Sequence, residues 1–595
     1  MTDIGFDLAA LREGYAAGLD PVAVIDAVYD RIEAAGDPGI FISLSPRETA
    51  RAAARALGAF DAKKPLWGAP FAVKDNIDVA GLPTTAACPA FARAPTEHAF
   101  AVRRLIDAGA IPIGKTNLDQ FATGLVGVRT PYPVPKNAFD PAIVPGGSSS
   151  GSGVAVARGL VSFALGTDTA GSGRVPAALN NIVGLKPSLG AISVRGVVPA
   201  CKSLDCVSVF AGCVDDAWRV FEALAAPDAR DAFQRRVEIG APGSPPPKWQ
   251  CGVPRVEDLE FYGDTAAARA WDLALAVLAD IGAELVPIDM RPFLKAAAFL
   301  YDGPWIAERH AALGGFLRTN ADDALPVIRG IVDGAARFSA SDAFEAMYAL
   351  REIAAVAAQA MSAIDALAVP SVPRAPSVAE LKRDPLGPNT QLGRWTNFVN
   401  LLDMAALAAP GPFRPDGLPA GATFIGPRGS DARLAGIGRL FHARAGVGMG
   451  ARQTPTPRPV SFVDAREKIE LVVVGAHMSG LPLNHELRGL GGVFSRAVQT
   501  RPCYRLYELS GGPPRRPGMI RRADGAAVAC EVWSLAPEAF ARFVAGIPAP
   551  LGIGTVLLSD GTAPKGFLAE PEGVADARDI TEFGGWRAFA AAVSR

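Results

Sequence analysis

The stretch VPGGSSSGSGVAVARG, residues 144–159, decides which fold and which chemistry the rest of the chain is compatible with. Glycine and serine at this density can form a flexible linker, a phosphate-binding loop or the floor of an active site. A linker is flanked by polar sequence, yet the apolar segment VAVARGLVSFALGTDT continues the run and must be buried. A phosphate loop needs a lysine before its helix, and no lysine lies between Lys136 and Lys186. Both interpretations are therefore disfavoured.

A third interpretation is a nucleophile elbow, because residues 147–151 satisfy the pattern G-x-S-x-G. That motif needs a strand leading into the serine and a histidine further along the chain. The preceding NAFDPAIVPG contains two prolines and is a poor strand. His310 and His442 could supply a base, but neither lies in a recognisable motif. The elbow remains the alternative.

Two other stretches favour a serine hydrolase in which lysine is the base. In FAVKDNID, Lys74 closes an apolar segment that predicts a buried strand. In GTDTAGSGRVPAA, Ser172 lies between glycines after a second such segment. Burial lowers the pKa of an ammonium group, so a neutral amine becomes available to activate a serine hydroxyl.

The order and spacing of these motifs resemble the amidase signature family. Ser148 follows Lys74 by 74 residues, and Ser172 follows by a further 24. GLKPSLGAIS from residue 184 and NFVNLLDMAALAAPG from residue 397 are also typical of that family. The resemblance covers residues 1–445 and implies an α/β fold, with a mixed β-sheet surrounded by helices. Repeated alternation of helical and extended patterns in the first hundred residues favours the same class.

The resemblance also implies a role for each residue of a Ser-Ser-Lys triad. Lys74 is expected to be the base, and Ser148, joined to Gly147 by a cis peptide bond, is expected to relay the proton. Ser172 is expected to be the nucleophile. The backbone N–H groups expected to stabilise the oxyanion are those of Thr169, Ala170, Gly171 and Ser172.

Other polar residues of these motifs have a simpler explanation. Ser149, Ser150 and Ser152 are expected to satisfy backbone groups in a turn. Asp168 and Arg174 are expected to pair and hold the loop that carries the nucleophile.

Two stretches in the first 445 residues bear on the substrate. FLYDGPWIAERHAALGGF places Tyr301 and Arg309 eight residues apart, on one side of a helix if that helix is continuous. A packed tyrosine beside a surface arginine is the simpler interpretation. Together with DQFATGLVGVRTPY, however, the stretch resembles allophanate hydrolases. That resemblance implies that Gly124, Tyr301 and Arg309 bind a small anionic urea derivative, and arginine suits bidentate recognition of its carboxylate.

Composition changes at AGVGMGARQTPTPRPVSF, residues 445–462, which is rich in glycine and then in threonine and proline. We therefore predict three parts of the chain: a domain over 1–445, a linker over 446–466 and a second domain over 467–595.

The second domain resembles the C-terminal domain of allophanate hydrolases, through GAHMSGLPLNHELRGLGGVF, YRLYELSGGPPRRPG and AVACEVWSL. This resemblance implies a small α+β fold similar to γ-glutamyl cyclotransferase-like proteins. It makes His477 the expected acid/base group, while His485 is expected to be structural or accessory. The further residues assigned to this site are Tyr504, Arg515 and Glu531.

These resemblances imply hydrolysis of allophanate (urea-1-carboxylate) to ammonia and N-carboxycarbamate. The second domain would promote breakdown of the latter to carbon dioxide and ammonia. Some relatives are fused to a biotin-dependent urea carboxylase, whereas this sequence has no Met-Lys-Met biotin-attachment motif. We expect a separate carboxylase as functional partner, unless the substrate comes from another pathway. The alternatives are an amidase for a carboxylated amide such as malonamate, an amidotransferase subunit, or a non-catalytic binding module.

Charge and composition narrow the partners further. The 59 basic and 60 acidic residues nearly cancel, so neither nucleic acid nor a membrane surface is an expected partner. No segment reads as a membrane span or a signal peptide. Seven cysteines without a CxxC pair suggest a cytoplasmic protein with reduced thiols. Five histidines, none spaced as ligands, predict neither a metal nor a cofactor. A homodimer is compatible with the sequence, which leaves oligomeric state open.

Overall fold

The computed structural model describes residues 4–462, 464 and 467–593. Contacts divide the chain into two compact units. The first unit comprises the described residues of Met1–Ile239, Cys251–Asp280 and Leu285–Ser461. The second comprises those of Gly240–Gln250, Ile281–Glu284 and Phe462–Arg595. The segments Gly240–Gln250 and Ile281–Glu284 carry no sequence signal that would assign them to the second unit.

An eleven-stranded mixed sheet lies at the centre of the fold, in the order β1-β3-β2-β4-β6-β5-β10-β11-β9-β7-β8. Its strands are β1 (Phe41–Leu44), β2 (Pro70–Lys74), β3 (Ile111–Thr116), β4 (Phe163–Asp168), β5 (Val183–Lys186), β6 (Cys206–Ala211), β7 (Trp249–Pro254), β8 (Ala283–Ile288), β9 (Ala366–Pro370), β10 (Met404–Gly411) and β11 (Ala420–Pro427). Strand β2 pairs in parallel with both β3 and β4, whereas β4 pairs antiparallel with β6. The predicted mixed α/β sheet is confirmed.

α-Helices precede, separate and follow these strands along the chain. They are α1 (Leu8–Ala16), α2 (Pro21–Ala35), α3 (Arg47–Ala56), α4 (Phe100–Asp107), α5 (Ser150–Ala157), α6 (Val175–Ala178), α7 (Val214–Leu224), α8 (Thr265–Asp280), α9 (Arg291–Ala298), α10 (Ile306–Leu317), α11 (Pro326–Asp333), α12 (Ala340–Ser362), α13 (Val378–Arg383), α14 (Gly387–Leu392), α15 (Phe398–Leu401) and α16 (Asp431–Ala445). In the described part of the chain, no helix combines the length and apolarity needed to cross a membrane.

Helix starts show which local signals decide structure here. Asp20 caps α2 by accepting a hydrogen bond from the N–H of Val22, as its position before Pro21 predicts. Residues 45–48, SPRE, have the spacing of a capping box, but the box does not form, because α3 begins at Arg47 with Pro46 as its cap. The N–H of Ser45 instead donates to the Ile113 carbonyl and prolongs the pairing of β1 with β3.

The described residues of the second unit include two small sheets and three α-helices. Strands β12 (Ile469–Val473), β13 (Val493–Gln499), β16 (Ala529–Leu535), β17 (Leu551–Thr555) and β18 (Lys565–Ala569) form a five-stranded sheet. Strands β14 (Tyr504–Leu509), β15 (Arg516–Arg521) and β19 (Arg578–Asp579) form a three-stranded sheet. The helices are α17 (Asn484–Gly489), α18 (Pro537–Ala545) and α19 (Trp586–Val593). The predicted α+β composition is confirmed.

The segment predicted as a linker, residues 446–466, is ordered against the first unit in its early part. The N–H of Gly450 donates to the Asn181 carbonyl, and the N–H of Ala451 donates to the Ala157 carbonyl. Three residues of the predicted linker, at 463, 465 and 466, lie outside the described part. The domain boundaries stay a prediction, and residues as far as Ser461 group with the first unit.

Candidate active site

The topology of the sheet brings the first set of candidate residues together. Lys74 is the last residue of β2, and the loop carrying Ser172 follows β4. Because β2 and β4 are parallel neighbours, their carboxyl ends lie at the same edge of the sheet. Ser148 comes just before α5, a helix buried along its whole length.

The three side chains form a continuous hydrogen-bonded chain. Lys74 Nζ donates to Ser148 Oγ at 2.7 Å and to Thr167 Oγ1 at 2.8 Å. Ser148 Oγ in turn donates to Ser172 Oγ at 2.9 Å. All three predicted triad residues are buried, and the peptide bond between Gly147 and Ser148 is cis. The geometry links a lysine to the hydroxyl of Ser172 through one intervening hydroxyl.

The environment of Lys74 suits a proton acceptor. Burial lowers the pKa of Lys74 to about 7, although the negative charges of Asp119, Asp168 and Asp205 oppose this shift. No carboxylate lies within ion-pair distance of Nζ in the part of the chain that the structure describes. The amine can therefore be neutral near neutral pH, when it can accept a proton.

Asp119 supports this arrangement, although sequence analysis did not select it. Its N–H donates to the Ser148 carbonyl at 3.0 Å, and its carboxylate accepts hydrogen bonds from the N–H groups of Gly127 and Arg129. A Cβ atom at Gly147 would lie 2.1 Å from Asp119 Oδ2, so only glycine fits beside this carboxylate. The one available signal was the position of Asp119 at the start of DQFATGLVGVRTPY.

The loop after β4 corrects one predicted oxyanion donor. The N–H of Gly171 donates to Asp168 Oδ1 at 2.8 Å, so it is not free to bind an oxyanion. Asp168 also accepts from the N–H of Gly173 and pairs with Arg174, which confirms the predicted pair. Gly171 has φ +138, and a Cβ atom there would lie 2.4 Å from Thr396 Oγ1. Gly171 thus shapes the loop and satisfies Asp168.

The other three predicted donors keep their N–H groups available. Within the described residues, the N–H groups of Thr169, Ala170 and Ser172 donate to no protein acceptor. Asp205 holds this loop in place. Its carboxylate accepts hydrogen bonds from Thr169 Oγ1 at 2.5 Å and from the N–H of Ala200 at 2.8 Å. Asp205 is a second supporting residue that sequence analysis missed.

The neighbouring serines have structural roles, as predicted. Ser149 Oγ donates to the Thr167 carbonyl, and Ser152 Oγ donates to the Leu165 carbonyl. Ser150 Oγ donates to the Asn117 carbonyl at 3.4 Å.

Tyr301 and Arg309 meet, but not through a continuous helix. Helix α10 begins at Ile306, so Tyr301 lies in the turn before it. Arg309 Nη2 nevertheless donates to the Tyr301 hydroxyl at 3.2 Å, and Nη1 donates to Thr123 Oγ1 at 2.8 Å. Arg309 is fully buried, and its Nε has no partner among the described residues. A surface arginine, the simpler interpretation, is therefore wrong.

Gly124 follows the residue that Arg309 contacts. A Cβ atom at Gly124 would lie 2.5 Å from Asp119 Oδ2, so a side chain there would displace the carboxylate that accepts from the N–H groups of Gly127 and Arg129. The predicted substrate-binding residues of the first unit thus border the supports of the triad.

In the second unit, His477 lies in an aromatic setting. Its ring stacks on Phe567, with ring centres 5.3 Å apart, and meets Phe543 edge-on. Its Nε2 is 2.9 Å from Glu486 Oε2. Burial lowers the pKa of His477, and Glu486 opposes this shift. Glu486, on the short helix α17, is a partner that sequence analysis missed.

Glu531 is buried, and both of its carboxylate oxygens are engaged. Oε2 accepts from the Ser479 N–H at 2.8 Å and from Trp533 Nε1 at 3.1 Å. Oε1 accepts from Ser479 Oγ at 2.7 Å and from Arg587 Nη2 at 2.7 Å. These contacts fix the backbone two residues beyond His477, which is a supporting role.

The structure does not support binding roles for Tyr504 and Arg515. Tyr504 is fully buried in the core of the second unit, where its hydroxyl accepts from the Leu557 N–H at 2.8 Å and from Arg521. Arg515 pairs with Glu508 and lies over the Phe589 ring. Neither residue has a hydrogen bond, ion pair or ring contact with His477 among the described residues, although Arg516 and Pro517, which follow Arg515, line a small cavity with His477.

Family comparisons agree with both halves of this description. Residues 23–435 match the family described as Amidase, and residues 469–591 match the Allophanate hydrolase C-terminal domain. A urea amidolyase of Saccharomyces cerevisiae is 41% identical over 544 residues, which cover 88% of this chain and 30% of that protein. This chain thus spans about three tenths of the length of that relative.

Solved structures are similar over the whole chain. The allophanate hydrolase of Kluyveromyces lactis matches with a TM-score of 0.80 and 39% identity, over 99% of this chain and 100% of that one. The K. lactis urea amidolyase matches with the same TM-score and identity, over 100% of this chain and 37% of that one.

Proposed function

The chain belongs to the amidase family and, by its full-length match to an allophanate hydrolase, to that group of amidases; on this premise we propose that it hydrolyses allophanate to ammonia and N-carboxycarbamate. The observation that carries the proposal is the buried chain from Lys74 through Ser148 to Ser172, with contacts of 2.7 Å and 2.9 Å. Arg309 supports an anionic substrate, because its positively charged guanidinium is buried and is held by Tyr301 and Thr123.

In the proposed reaction, Ser172 Oγ attacks the carbonyl carbon that bears the terminal amide nitrogen. Its proton passes to Ser148 Oγ while the Ser148 proton passes to neutral Lys74 Nζ. The oxyanion is stabilised by the free N–H groups of Thr169, Ala170 and Ser172. Lys74 returns the proton along the same route, so the leaving nitrogen departs as ammonia. Water then attacks the acyl-enzyme, its proton passes through Ser148 to Lys74, and the proton returns to Ser172 Oγ as N-carboxycarbamate departs.

Arg309 and Tyr301 provide substrate selection in this proposal. The guanidinium of Arg309 is buried, and its Nε has no partner among the described residues. Such a group can bind a planar carboxylate by donating two parallel hydrogen bonds. Tyr301 and Thr123 hold the guanidinium in one orientation through contacts of 3.2 Å and 2.8 Å. An amide that lacks a carboxylate leaves this charge buried and unpaired, which costs binding energy.

The second unit is proposed to promote breakdown of N-carboxycarbamate to carbon dioxide and ammonia. His477 is the proposed acid/base group, and Glu486 orients its ring from Nε2. The match to urea amidolyases supports a further proposal, that a urea-carboxylating enzyme supplies the substrate. Both assignments depend on family similarity as well as on geometry.

Ammonia release from a panel of amides tests the proposal. The panel contains allophanate, malonamate, urea and glutamine, and the intact chain should give its highest kcat/KM with allophanate. Ser172→Ala should remove the activity without unfolding the protein, because only one hydroxyl is lost. A higher kcat/KM for malonamate would instead identify an amidase for other carboxylated amides, and one for glutamine would favour the amidotransferase alternative.

A further inference from the structure

A cavity of about 450 Å³ lies in the first unit, beside the candidate substrate-binding residues. Tyr301 is part of its wall and also accepts the hydrogen bond from Arg309. The same tyrosine packs against a hydrophobic cluster that contains Ala170, from the loop that carries Ser172. One side chain therefore belongs both to the wall of the cavity and to the packing around the cluster that contains Ala170.

Three arginines line this cavity; the negative charge of the buried Asp119 acts on Arg129, whereas Arg337 and Arg394 have no acidic partner within ion-pair distance among the described residues. Arg129, Arg337 and Arg394 form no ion pair within 4.0 Å in the described part of the chain. Their guanidinium groups donate instead to backbone carbonyls, which carry no net charge. These contacts are from Arg129 to Thr123 and Pro385, from Arg337 to Tyr301, and from Arg394 to Asp258. Asp302 is the one acidic residue among the described residues that line the cavity.

Buried polar atoms without partners lie on the same walls. Asn397 lines the cavity, is 9% exposed, and its Oδ1 has no hydrogen-bond partner within the described chain. Arg129 is 5% exposed, and its Nε is likewise unpartnered, as is Nε of Arg394. Buried polar atoms are nearly always hydrogen-bonded, so a group of orphans beside one cavity marks a strongly polar wall.

We propose that this arginine-lined cavity is the chamber through which a carboxylated amide reaches Ser172, and that it selects anions before Arg309 binds them. The inference rests on the proposed function for the identity of the substrate. Low-dielectric walls with an excess of positive charge concentrate an anion and raise its association rate. The effect should therefore appear in kcat/KM, weaken at high ionic strength and be absent for a neutral amide.

The test compares allophanate with biuret, its uncharged near-isostere, in variants that remove charge from the cavity. Arg337→Gln and Arg394→Gln keep an N–H donor for the carbonyl that each arginine contacts. Arg329→Gln is the matched control, because Arg329 is on the nearby α11, already lies 3.5 Å from Asp322, and does not line the cavity. Thermal unfolding of every variant checks the fold, and Arg337, the exposed member, keeps the test open if Arg394→Gln fails to fold.

Each single variant should lower the ratio of kcat/KM for allophanate to that for biuret by about threefold to tenfold. The double variant should lower it by about tenfold to a hundredfold and should flatten its dependence on salt. Arg329→Gln should leave the ratio and its salt dependence at the parent values. A double variant with the parent ratio and salt dependence would overturn the inference.

Equilibrium binding of malonate to the Ser172→Ala protein separates this inference from the proposed function, because it needs no turnover. Adding the two cavity substitutions to Ser172→Ala should weaken malonate binding by about tenfold or more. If the intact chain does not hydrolyse allophanate but malonate binding still falls, the proposed function fails and the cavity assignment stands. If malonate does not bind to Ser172→Ala protein, or binds equally without the two arginines, the cavity assignment is wrong whatever the substrate is.

Discussion

The two candidate sites of this chain differ in how completely the structure assembles them. In the first unit, Lys74, Ser148 and Ser172 are far apart in sequence but form one buried chain of hydrogen bonds. In the second unit, the residues selected for one site are dispersed. His477 lies in an aromatic pocket, Glu531 is saturated by four donors, and Tyr504 lies in the core.

The difference follows from where each motif lies in its sheet. Lys74 and the loop after Asp168 follow the ends of parallel neighbouring strands, an arrangement that brings their side chains to one edge. Strands β14 and β16 of the second unit belong to different sheets, so residues on them need not converge. A sequence motif predicts a site best when the strand topology brings its residues to one edge of one sheet.

The largest effect on kcat/KM is expected from substitution of Lys74, the proposed base of the first site. Lys74→Ala should lower kcat/KM for allophanate by about three to four orders of magnitude, because the relay loses its base. Lys74→Arg should not restore activity, since a guanidinium does not release its proton at neutral pH. Steady-state ammonia release on folded variants measures both. Near-parental activity in Lys74→Arg would exclude a neutral-amine mechanism.

A somewhat smaller effect is expected at Arg309, and it should depend on substrate charge. Loss of a buried carboxylate contact costs about 2–5 kcal/mol, so Arg309→Ala should lower kcat/KM for allophanate by about two to three orders of magnitude. Turnover of biuret should fall much less. Arg309→Lys serves as the control that keeps the charge without the planar fork. Equal losses for both substrates would show that Arg309 has only a structural role.

The pH dependence of allophanate hydrolysis should follow the titration of Lys74. Burial places the pKa of Lys74 at about 7, and only the unprotonated amine can accept a proton. The kcat/KM for allophanate should therefore rise about tenfold per pH unit below 7 and level off above it. The residual activity of Lys74→Ala should lack this limb. If that variant retains the limb, another group is being titrated.

The smallest effect is expected from substitution of His477, and it concerns the time course of ammonia release. His477→Ala should release the first ammonia at the parental rate and delay the second, because N-carboxycarbamate would then lose carbon dioxide without a proton-transfer group. His485→Ala is the matched control, since His485 is an exposed histidine of the same segment whose Nδ1 lies 2.8 Å from the Pro482 carbonyl oxygen. A rapid coupled ammonia assay resolves the two phases. Identical time courses for His477→Ala and the parent would leave the second unit without a catalytic role in this step.

Point substitutions in the full chain test this division better than truncation. Residues 446–461 group with the first unit, whereas Gly240–Gln250 and Ile281–Glu284 group with the second. A cut at residue 445 would remove hydrogen bonds such as that from Gly450 to Asn181. Loss of activity after such a cut would therefore not assign a function to the second unit.

Sequence predicted the sheet because it depends on buried apolar strands, and it predicted the triad and its order through the resemblance of three motifs to the amidase signature family. It could not show that Gly171 gives its N–H to Asp168, since that contact depends on the bend of one loop. Asp119 and Asp205 were missed because a lone aspartate in an apolar stretch has no pattern of its own. The same limit applies to Tyr504, whose hydroxyl finds its partners in the core through tertiary packing.

The central claim is that Ser172 attacks allophanate and becomes acylated. Rapid acid quench during turnover, followed by peptide mass spectrometry, tests this claim most directly. The acyl group, –CO–NH–COO⁻, should lose carbon dioxide in acid and leave a carbamoyl group on the peptide that contains Ser172. The adduct should accumulate within the first turnover and be absent from the Ser172→Ala protein. Turnover of allophanate with no adduct on Ser172, or with the adduct on another residue, would contradict the account.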